Sequence, residues 1–285
     1  MRFEAPQTVE AAVGLLSSEG GVTRVLSGGT DVLVQLRSGM VEPDLIVDIK
    51  KIPGMRDIVE DDEGFRIGAA VACVELGEHD ALSKAWPGVV EGAELIGSTQ
   101  VQGRATMVGN LCNASPAADS VPGLVAAGAT VEIVGPDGRR QIKVEDVPAA
   151  PGRTSLAKGE MIEAIRLPKR APRSGDAYLR FIPRTEMDIA VVGCAVRLAL
   201  DETGTCTEAS VALGAVAITV LNVKDAADAL IGTKVDDEAL ARMAAAASAA
   251  CKPIDDKRGT REFRIKIAGV LAERAARIAL ERARG

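Results

Sequence analysis

The chain has 285 residues, of which 47% are hydrophobic and 26% are charged, so it is long enough to bury a core and to form two or three domains. Its net charge of −6 and its aromatic content of only 2% argue against a protein that binds nucleic acid or anionic membranes. Five widely spaced cysteines without a C-x-x-C pair, and a single histidine, predict no metal site and favour a reducing, cytoplasmic location.

The first 55 residues are predicted to form a small α/β unit. The N-terminal residues lack the apolar core of a signal peptide, and the first element is a helix with Thr8 as its N-cap and an apolar stripe from Val9 to Leu16. A short strand over residues 22–26 then enters a glycine loop, Ser27 to Asp31. An apolar helical stripe follows the loop, and a buried strand is predicted over residues 45–49.

Residues 56–170 are predicted to form a second unit with hairpins and helices. An acidic turn over residues 61–64 joins two strands, and a second glycine loop spans residues 106–116. The longest apolar stretch, residues 121–134, contains a proline and two glycines, so no membrane span is predicted. The other expected elements are helices over residues 74–82, 88–96 and 121–127 and strands over residues 129–134, 139–144 and 161–167.

A linker is predicted over residues 169–176, where prolines, basic residues and a glycine are concentrated. A third unit, residues 176–285, follows it. Alternating apolar side chains in residues 191–200 indicate a half-buried antiparallel strand, with further strands over residues 178–182 and 208–216. The end of the chain is predicted to be helical, with Asp236 and Thr260 as N-caps of the last two helices.

The first glycine loop has the composition of an anion-binding turn. Gly28 and Gly29, placed between a strand and a helix, allow backbone N–H groups to converge on one point, and Thr30 adds a hydroxyl. The alternative is a plain strand-to-helix turn. Neither the dinucleotide fingerprint G-x-G-x-x-G nor the P-loop pattern occurs, so a Rossmann or P-loop site is not predicted.

The second glycine loop is richer in hydrogen-bonding side chains. Thr106 and Asn110 flank Gly109, and Asn113 follows closely. Asp119 comes shortly after the loop and is suited to accept hydrogen bonds from ribose hydroxyls. The alternative is a connection in which these side chains bond their own backbone. Because two such loops occur in one chain, a dinucleotide-like ligand is favoured.

A third cluster follows the predicted linker. Tyr178 and Arg180 are one strand period apart, so their side chains should share a face of the strand. An aromatic ring and a cation in this position are suited to shield a flavin ring and to stabilise its reduced anion. The alternative is a strand beside a linker whose arginines are solvated.

Together these motifs resemble one family, the FAD-binding medium subunits of molybdenum hydroxylases of the carbon monoxide dehydrogenase and xanthine dehydrogenase type. Two matching stretches are LSGGTDVL at residues 26–33 and RATMVGNLCNASPAAD at residues 104–119, and the second of these is the most specific. PRTEMDIA at residues 183–190 and DKRGTREFR at residues 256–264 extend the similarity over nearly the whole chain. One departure is Val108, which precedes Gly109 where the family usually has a second glycine.

The resemblance implies an α+β fold. Residues 1–55 and 56–170 would be the two subdomains of a PCMH-like FAD-binding domain, and residues 176–285 a C-terminal domain of antiparallel strands and helices. It also implies that residues around the diphosphate and ribityl chain come from the two loops, that Asp119 holds a hydroxyl, and that Tyr178 and Arg180 lie near the flavin. The implied cofactor-binding residues are Arg24, Val25, Leu26, Ser27, Gly28, Gly29, Thr30, Asp31, Thr106, Gly109, Asn110, Cys112, Asp119, Ile162, Leu167, Tyr178 and Arg180.

The implied function is that of a flavoprotein subunit for electron transfer, with no catalytic residue of its own. FAD would be bound non-covalently, because no counterpart of the covalent attachment residue is found. The molybdenum cofactor and the [2Fe-2S] clusters would lie only in partner subunits, a large molybdenum subunit and a small iron–sulfur subunit, in a dimer of heterotrimers. The complex would be cytoplasmic and would pass electrons through FAD to an external acceptor. Two alternatives stay open: a stand-alone flavin oxidase and a non-catalytic assembly subunit.

Overall fold

A computed structural model describes residues 1–285 and shows a mixed helix-and-sheet fold, so the predicted α+β class is confirmed. The first sheet has three parallel strands in the order β1-β3-β2. Thr8 caps the first helix as predicted, since its hydroxyl accepts a hydrogen bond from the Ala11 N–H. The elements are β1 (Arg2–Glu4), α1 (Val9–Ser18), β2 (Thr23–Leu26), α2 (Val32–Arg37) and β3 (Leu45–Asp48).

Strand β1 was not predicted from the sequence. It has only three residues, and Arg2 and Phe3 are exposed, so no alternation of apolar and polar residues marks it. Its extended conformation comes from pairing with β3, a contact with residues more than forty positions away. Such a strand depends on tertiary structure rather than on local preference.

The second sheet has five antiparallel strands in the order β4-β5-β10-β6-β7, and a separate two-stranded sheet contains β8 and β9. Helix α8 is buried at each of its residues and packs against α5 and against the C-terminal sheet. The elements are β4 (Ile58–Asp61), β5 (Gly64–Gly68), α3 (Cys73–Gly77), α4 (Asp80–Ala85), α5 (Pro87–Glu94), α6 (Thr99–Gln102), α7 (Met107–Cys112), α8 (Ser120–Ala127), β6 (Thr130–Gly135), β7 (Gly138–Lys143), β8 (Pro148–Ala150), β9 (Arg153–Thr154) and β10 (Met161–Pro168).

The second glycine loop is in large part a helix, which corrects the sequence-based expectation. Thr106 is the N-cap of α7, and its hydroxyl accepts from the Gly109 N–H at 2.9 Å. Met107, Val108 and Leu111 share the buried face of this helix. Gly109 and Asn110, two of the residues that suggested a loop, lie on the less buried side of this helix.

The third sheet has four antiparallel strands in the order β11-β12-β13-β14, with the three C-terminal helices beside it. Asp236 and Thr260 cap α10 and α11, as predicted. Gly175 lies so close to α11 that a side chain there would overlap the Ala279 carbonyl oxygen. The elements are β11 (Ser174–Phe181), β12 (Val192–Leu200), β13 (Cys206–Gly214), β14 (Leu221–Asn222), α9 (Lys224–Asp228), α10 (Asp237–Ala250) and α11 (Arg261–Arg284).

The predicted linker is shorter than expected, because β10 ends at Pro168 and β11 already begins at Ser174. Two hydrophobic cores are present. A cluster of 43 buried residues joins the first two sheets, whereas a cluster of 29 lies mainly in the C-terminal part of the chain. The division at residues 55, 170 and 176 stays a prediction, since the first two units share a core. No helix here combines the length and the apolar character needed to cross a bilayer.

Candidate functional site

A cavity of about 590 Å³ opens where the first glycine loop meets α7, a size within the usual range for cofactor pockets. Its walls contain apolar side chains such as Leu16, Ile49 and Met161 beside the polar loops. The structure brings most of the predicted site residues to this cavity. Those that line it are Arg24, Val25, Ser27, Gly28, Gly29, Thr30, Asp31, Thr106, Gly109, Asn110, Cys112 and Ile162.

The first glycine loop presents a run of free backbone donors. The six successive N–H groups from Ser27 to Val32 have no hydrogen-bond partner within the chain, and each of these residues lines the cavity. Gly29 adopts a φ of +83°, a conformation that favours glycine. Successive unpaired N–H groups in a turn form an anion-binding concavity, so this loop is chemically suited to phosphate oxygens.

The carbonyl oxygens of the same loop are held by cations. Lys50 Nζ donates to the Ser27 carbonyl at 3.0 Å and pairs with Asp48 at 2.8 Å, and Arg104 Nε donates to the Gly28 carbonyl at 3.3 Å. These bonds fix the orientation of the peptide groups and add positive charge close to the loop. The loop contains no lysine of its own, and the structure places Lys50 against it.

The loop and α7 are in direct contact. Ser27 Oγ lies 3.2 Å from Thr106 Oγ1, and a side chain on Gly28 would overlap the Arg104 carbonyl oxygen. The first-turn N–H groups of Met107 and Val108 also lack a partner within the chain. Val108 has ordinary helical backbone, and its side chain is buried in the core. The extra side chain at this position therefore causes no backbone strain.

Side chains farther along connect the two segments. Asn113 Nδ2 donates to Asp31 Oδ1 at 3.3 Å, and Gln35 Nε2 donates to Asn113 Oδ1 at 3.2 Å. Cys112 lines the cavity as a neutral thiol, because desolvation raises its pKa to about 12. Asn113 thus bonds partners outside its own segment, whereas the Thr106 hydroxyl accepts from the backbone of α7, as the alternative of a self-contained turn expects.

Asp119, Tyr178 and Arg180 form a closed cluster that does not line the cavity. Tyr178 Oη donates to Asp119 Oδ1 at 2.9 Å, and Arg180 Nη1 donates to Asp119 Oδ2 at 2.7 Å and to the Leu95 carbonyl at 2.8 Å. Burial raises the pKa of Asp119 to about 6, although the Arg180 charge and both hydrogen bonds oppose this shift. Arg180 is buried and paired, so the alternative of a solvated arginine is excluded for this residue.

Two more predicted residues lie outside the cavity lining. Leu26 is buried beneath Gly29, and Leu167 is a core residue of β10 opposite Phe65. Their roles, like those of the Asp119 cluster, stay predictions.

Sequence reasoning missed one wall of the cavity. The chain from Gly152 to Met161 contributes Thr154, Leu156 and Lys158 to the lining, whereas only Ile162 was predicted in this region. Gly159, with a φ of +83°, provides the tight turn before β10. Gly159, next to Lys158 and directly before the predicted strand over residues 161–167, was the available signal.

The donor set fits a dinucleotide with a diphosphate. The phosphate charges are matched by the free backbone N–H groups, by Lys50 and Arg104 beside the loop, and by Arg24 and Lys158 in the lining. The apolar walls are suited to planar rings. No group of three or more histidine, cysteine or acidic side chains is placed to hold a metal ion.

Two family descriptions match the chain. Residues 1–170 match the FAD binding domain in molybdopterin dehydrogenase, and residues 177–279 match the CO dehydrogenase flavoprotein C-terminal domain. The carbon monoxide dehydrogenase medium chain of Afipia carboxidovorans is 32% identical over 282 residues, which cover 99% of this chain and 97% of that one. The xanthine dehydrogenase FAD-binding subunit of Escherichia coli O157:H7 is 28% identical over 285 residues, 99% of this chain and 97% of its own.

A solved structure is similar over the same extent. Carbon monoxide dehydrogenase from Hydrogenophaga pseudoflava, in a form that lacks the Mo-pyranopterin moiety of the molybdenum cofactor, superposes with a TM-score of 0.94 and 32% identity. The superposition covers 99% of this chain and 98% of that chain. The likeness therefore extends over all four sheets.

Proposed function

The chain belongs to the FAD-binding medium subunits of the molybdenum hydroxylases, an oxidoreductase family of the carbon monoxide dehydrogenase and xanthine dehydrogenase type, and from this premise we propose that it carries electrons from iron–sulfur clusters of a partner subunit, through FAD, to an external acceptor. The observation that carries the proposal is the run of unpaired N–H groups from Ser27 to Val32 at the cavity. When bound there, FAD supplies the redox chemistry.

The residues of this chain bind and orient the cofactor. We infer that the N–H groups of the first loop and of the start of α7 take the diphosphate, with Lys50 and Arg104 holding the loop carbonyls away from it. The wall formed by Ile162 and its neighbours excludes water from the apolar part of the cofactor. Asp119, Tyr178 and Arg180 remain proposed contacts of the ribityl chain and the flavin.

The proposed partners are a small subunit with [2Fe-2S] clusters and a large subunit with the molybdenum cofactor, in a dimer of heterotrimers in the cytoplasm. Support comes from relatives that are named as a medium chain or as a subunit. The preserved set of anion donors argues against an assembly subunit that has lost FAD. The donors do not by themselves distinguish the proposed subunit from a stand-alone flavin oxidase. Identification of the proteins that co-purify with this chain tests that alternative.

We expect the complex purified through a tag on this chain to contain flavin that acid releases. Flavin is expected because the cavity offers hydrogen-bond donors and positive charge to its phosphates. Acid should release it because the proposed binding is non-covalent. The measurement is flavin absorbance in the supernatant after acid precipitation, with the partner subunits identified by mass spectrometry. A folded, colourless complex would contradict the proposed function, and flavin that stays with the precipitate would contradict non-covalent binding.

We expect Lys50→Met to weaken FAD binding about two- to fivefold. Lys50 orients the Ser27 carbonyl, and its partly exposed charge near a dianion contributes up to about 1 kcal/mol. The measurement is the dissociation constant for FAD by fluorescence titration. Lys51→Met is the matched control, because Lys51 is the exposed neighbour and, unlike Lys50, makes no hydrogen bond to the first glycine loop. Equal affinities of the two variants would count against a role of Lys50.

A further inference from the structure

We propose that Ser120 is a positioning residue of the cofactor site, which fixes the side-chain amide of Asn110 so that its NH₂ group, and not its oxygen, is presented to the cavity. Asn110 Oδ1 accepts from the Ser120 N–H at 3.3 Å and from Ser120 Oγ at 2.7 Å. The inference rests on the proposed function, since the ligand that benefits is the FAD diphosphate or a neighbouring oxygen of the cofactor.

The orientation of the Asn110 amide follows from the chemistry of its neighbour. A backbone N–H is only a donor, so the Asn110 atom that faces Ser120 must be the oxygen. Nδ2 of the same planar amide then lies on the other side of Cγ and has no partner within the chain. A flipped amide would set two donors against each other at Ser120 and would turn a carbonyl oxygen towards an anion.

Ser120 is held firmly enough to impose this orientation. It is the first residue of α8, its exposure is 0%, and every other residue of the helix is buried as well. Asn110 in turn satisfies one of the N–H groups that a helix leaves unpaired in its first turn. The bond therefore joins a fixed, buried element to a side chain that lines the cavity.

The first test is Ser120→Ala in the complex purified through a tag on this chain. The variant keeps the backbone N–H bond but loses the shorter hydroxyl bond, so we expect the dissociation constant for FAD to rise about three- to tenfold. Ser83→Ala is the matched control. Its hydroxyl donates to backbone carbonyls, those of Leu76 and Gly77, and none of these three residues lines the cavity, so the variant should leave the FAD affinity unchanged.

The second test separates positioning from a general loss of structure. If Ser120 acts through Asn110, Ser120→Ala should change the FAD affinity less than about twofold once Asn110→Ala is present. Asn110→Asp should weaken binding more than Asn110→Ala does. A carboxylate keeps the acceptor for Ser120, but it lacks the NH₂ donor and adds negative charge near the phosphates.

The possible outcomes are distinct. Wild-type complex without any FAD would overturn the proposed function and this inference with it. If wild-type complex binds FAD and Ser120→Ala binds it equally well, the inference alone fails. It also fails if Ser120→Ala weakens FAD binding by the same factor with and without Asn110, because the hydroxyl would then act by a route other than the amide.

Discussion

Gly28→Ala should lower the affinity for FAD by about 10- to 100-fold. The backbone of Gly28 has no positive φ, so the expected effect is steric: the new methyl group would overlap the Arg104 carbonyl oxygen. Overpacking against fixed backbone costs about 1–3 kcal/mol, and 1.4 kcal/mol corresponds to a factor of ten in affinity. The loop must move away from α7, and its free N–H groups then no longer converge.

The measurement is flavin occupancy and the dissociation constant for FAD, with urea unfolding as a check on the fold. Gly14→Ala is the matched control, because it adds the same methyl group at an exposed position of α1 where no atom lies within 4 Å. It should leave FAD binding unchanged and raise helix stability by about 0.5–1 kcal/mol. Full flavin occupancy in Gly28→Ala would contradict the position assigned to the first loop.

Features that depend on neighbouring residues were predictable from the sequence. Thr8, Asp236 and Thr260 cap helices because a short polar side chain precedes an apolar helical stripe, and the structure confirms all three. The first loop was likewise predictable from the strand, the two glycines and the helix that follow one another around Gly28 and Gly29, because its turn depends only on local backbone conformation. Helix α7 was missed because it has only six residues, and Gly109 and Asn110 within it are residue types that are common in loops.

Contacts between distant parts of the chain were not predictable from patterns. Lys50 and Ser120 bond atoms that they reach only through sheet pairing and helix packing, and nothing in their immediate sequence indicates this. Tyr178 and Arg180 were expected to share a face of the strand. Both side chains bond Asp119, which is consistent with that expectation. That their partner would be an acid of the preceding unit depends on how α8 packs against the C-terminal sheet.

The packing of α5 against β11 shows how this cluster is held. Alternate residues of the strand bond successive turns of the helix: Asp176 accepts from the Gly88 N–H, and the Tyr178 N–H donates to Glu91. Arg180 completes the series at the Leu95 carbonyl. Every second residue of the strand points to the helix, and these residues meet helix positions that are three or four residues apart, about one helical turn. The pairing of Arg180 with Asp119 therefore lies at the end of a polar row that joins the two cores.

Arg180→Met should lower the free energy of unfolding by about 3–5 kcal/mol at pH 8. Methionine replaces the aliphatic part of the side chain but leaves the Asp119 carboxylate buried without its cation, which is the costly way to break a buried pair. The measurement is urea unfolding of the complete chain. The control is Arg242→Met, which breaks an exposed helical pair with Glu238 and should cost only about 0.3–0.5 kcal/mol.

The pH dependence makes this prediction specific to Asp119. Its folded pKa of about 6 lies above the ordinary value of 3.8, so its protonated form stabilises the fold fully below pH 3.8, and this contribution is lost as the pH rises through 6. Removing Arg180 removes interactions that lower this pKa, so it should rise further. The loss of stability in Arg180→Met should then be smaller at pH 5 than at pH 8, and Asp119→Asn in the same chain should remove that difference. An equal loss at both pH values would show that the Asp119 charge is not the cause.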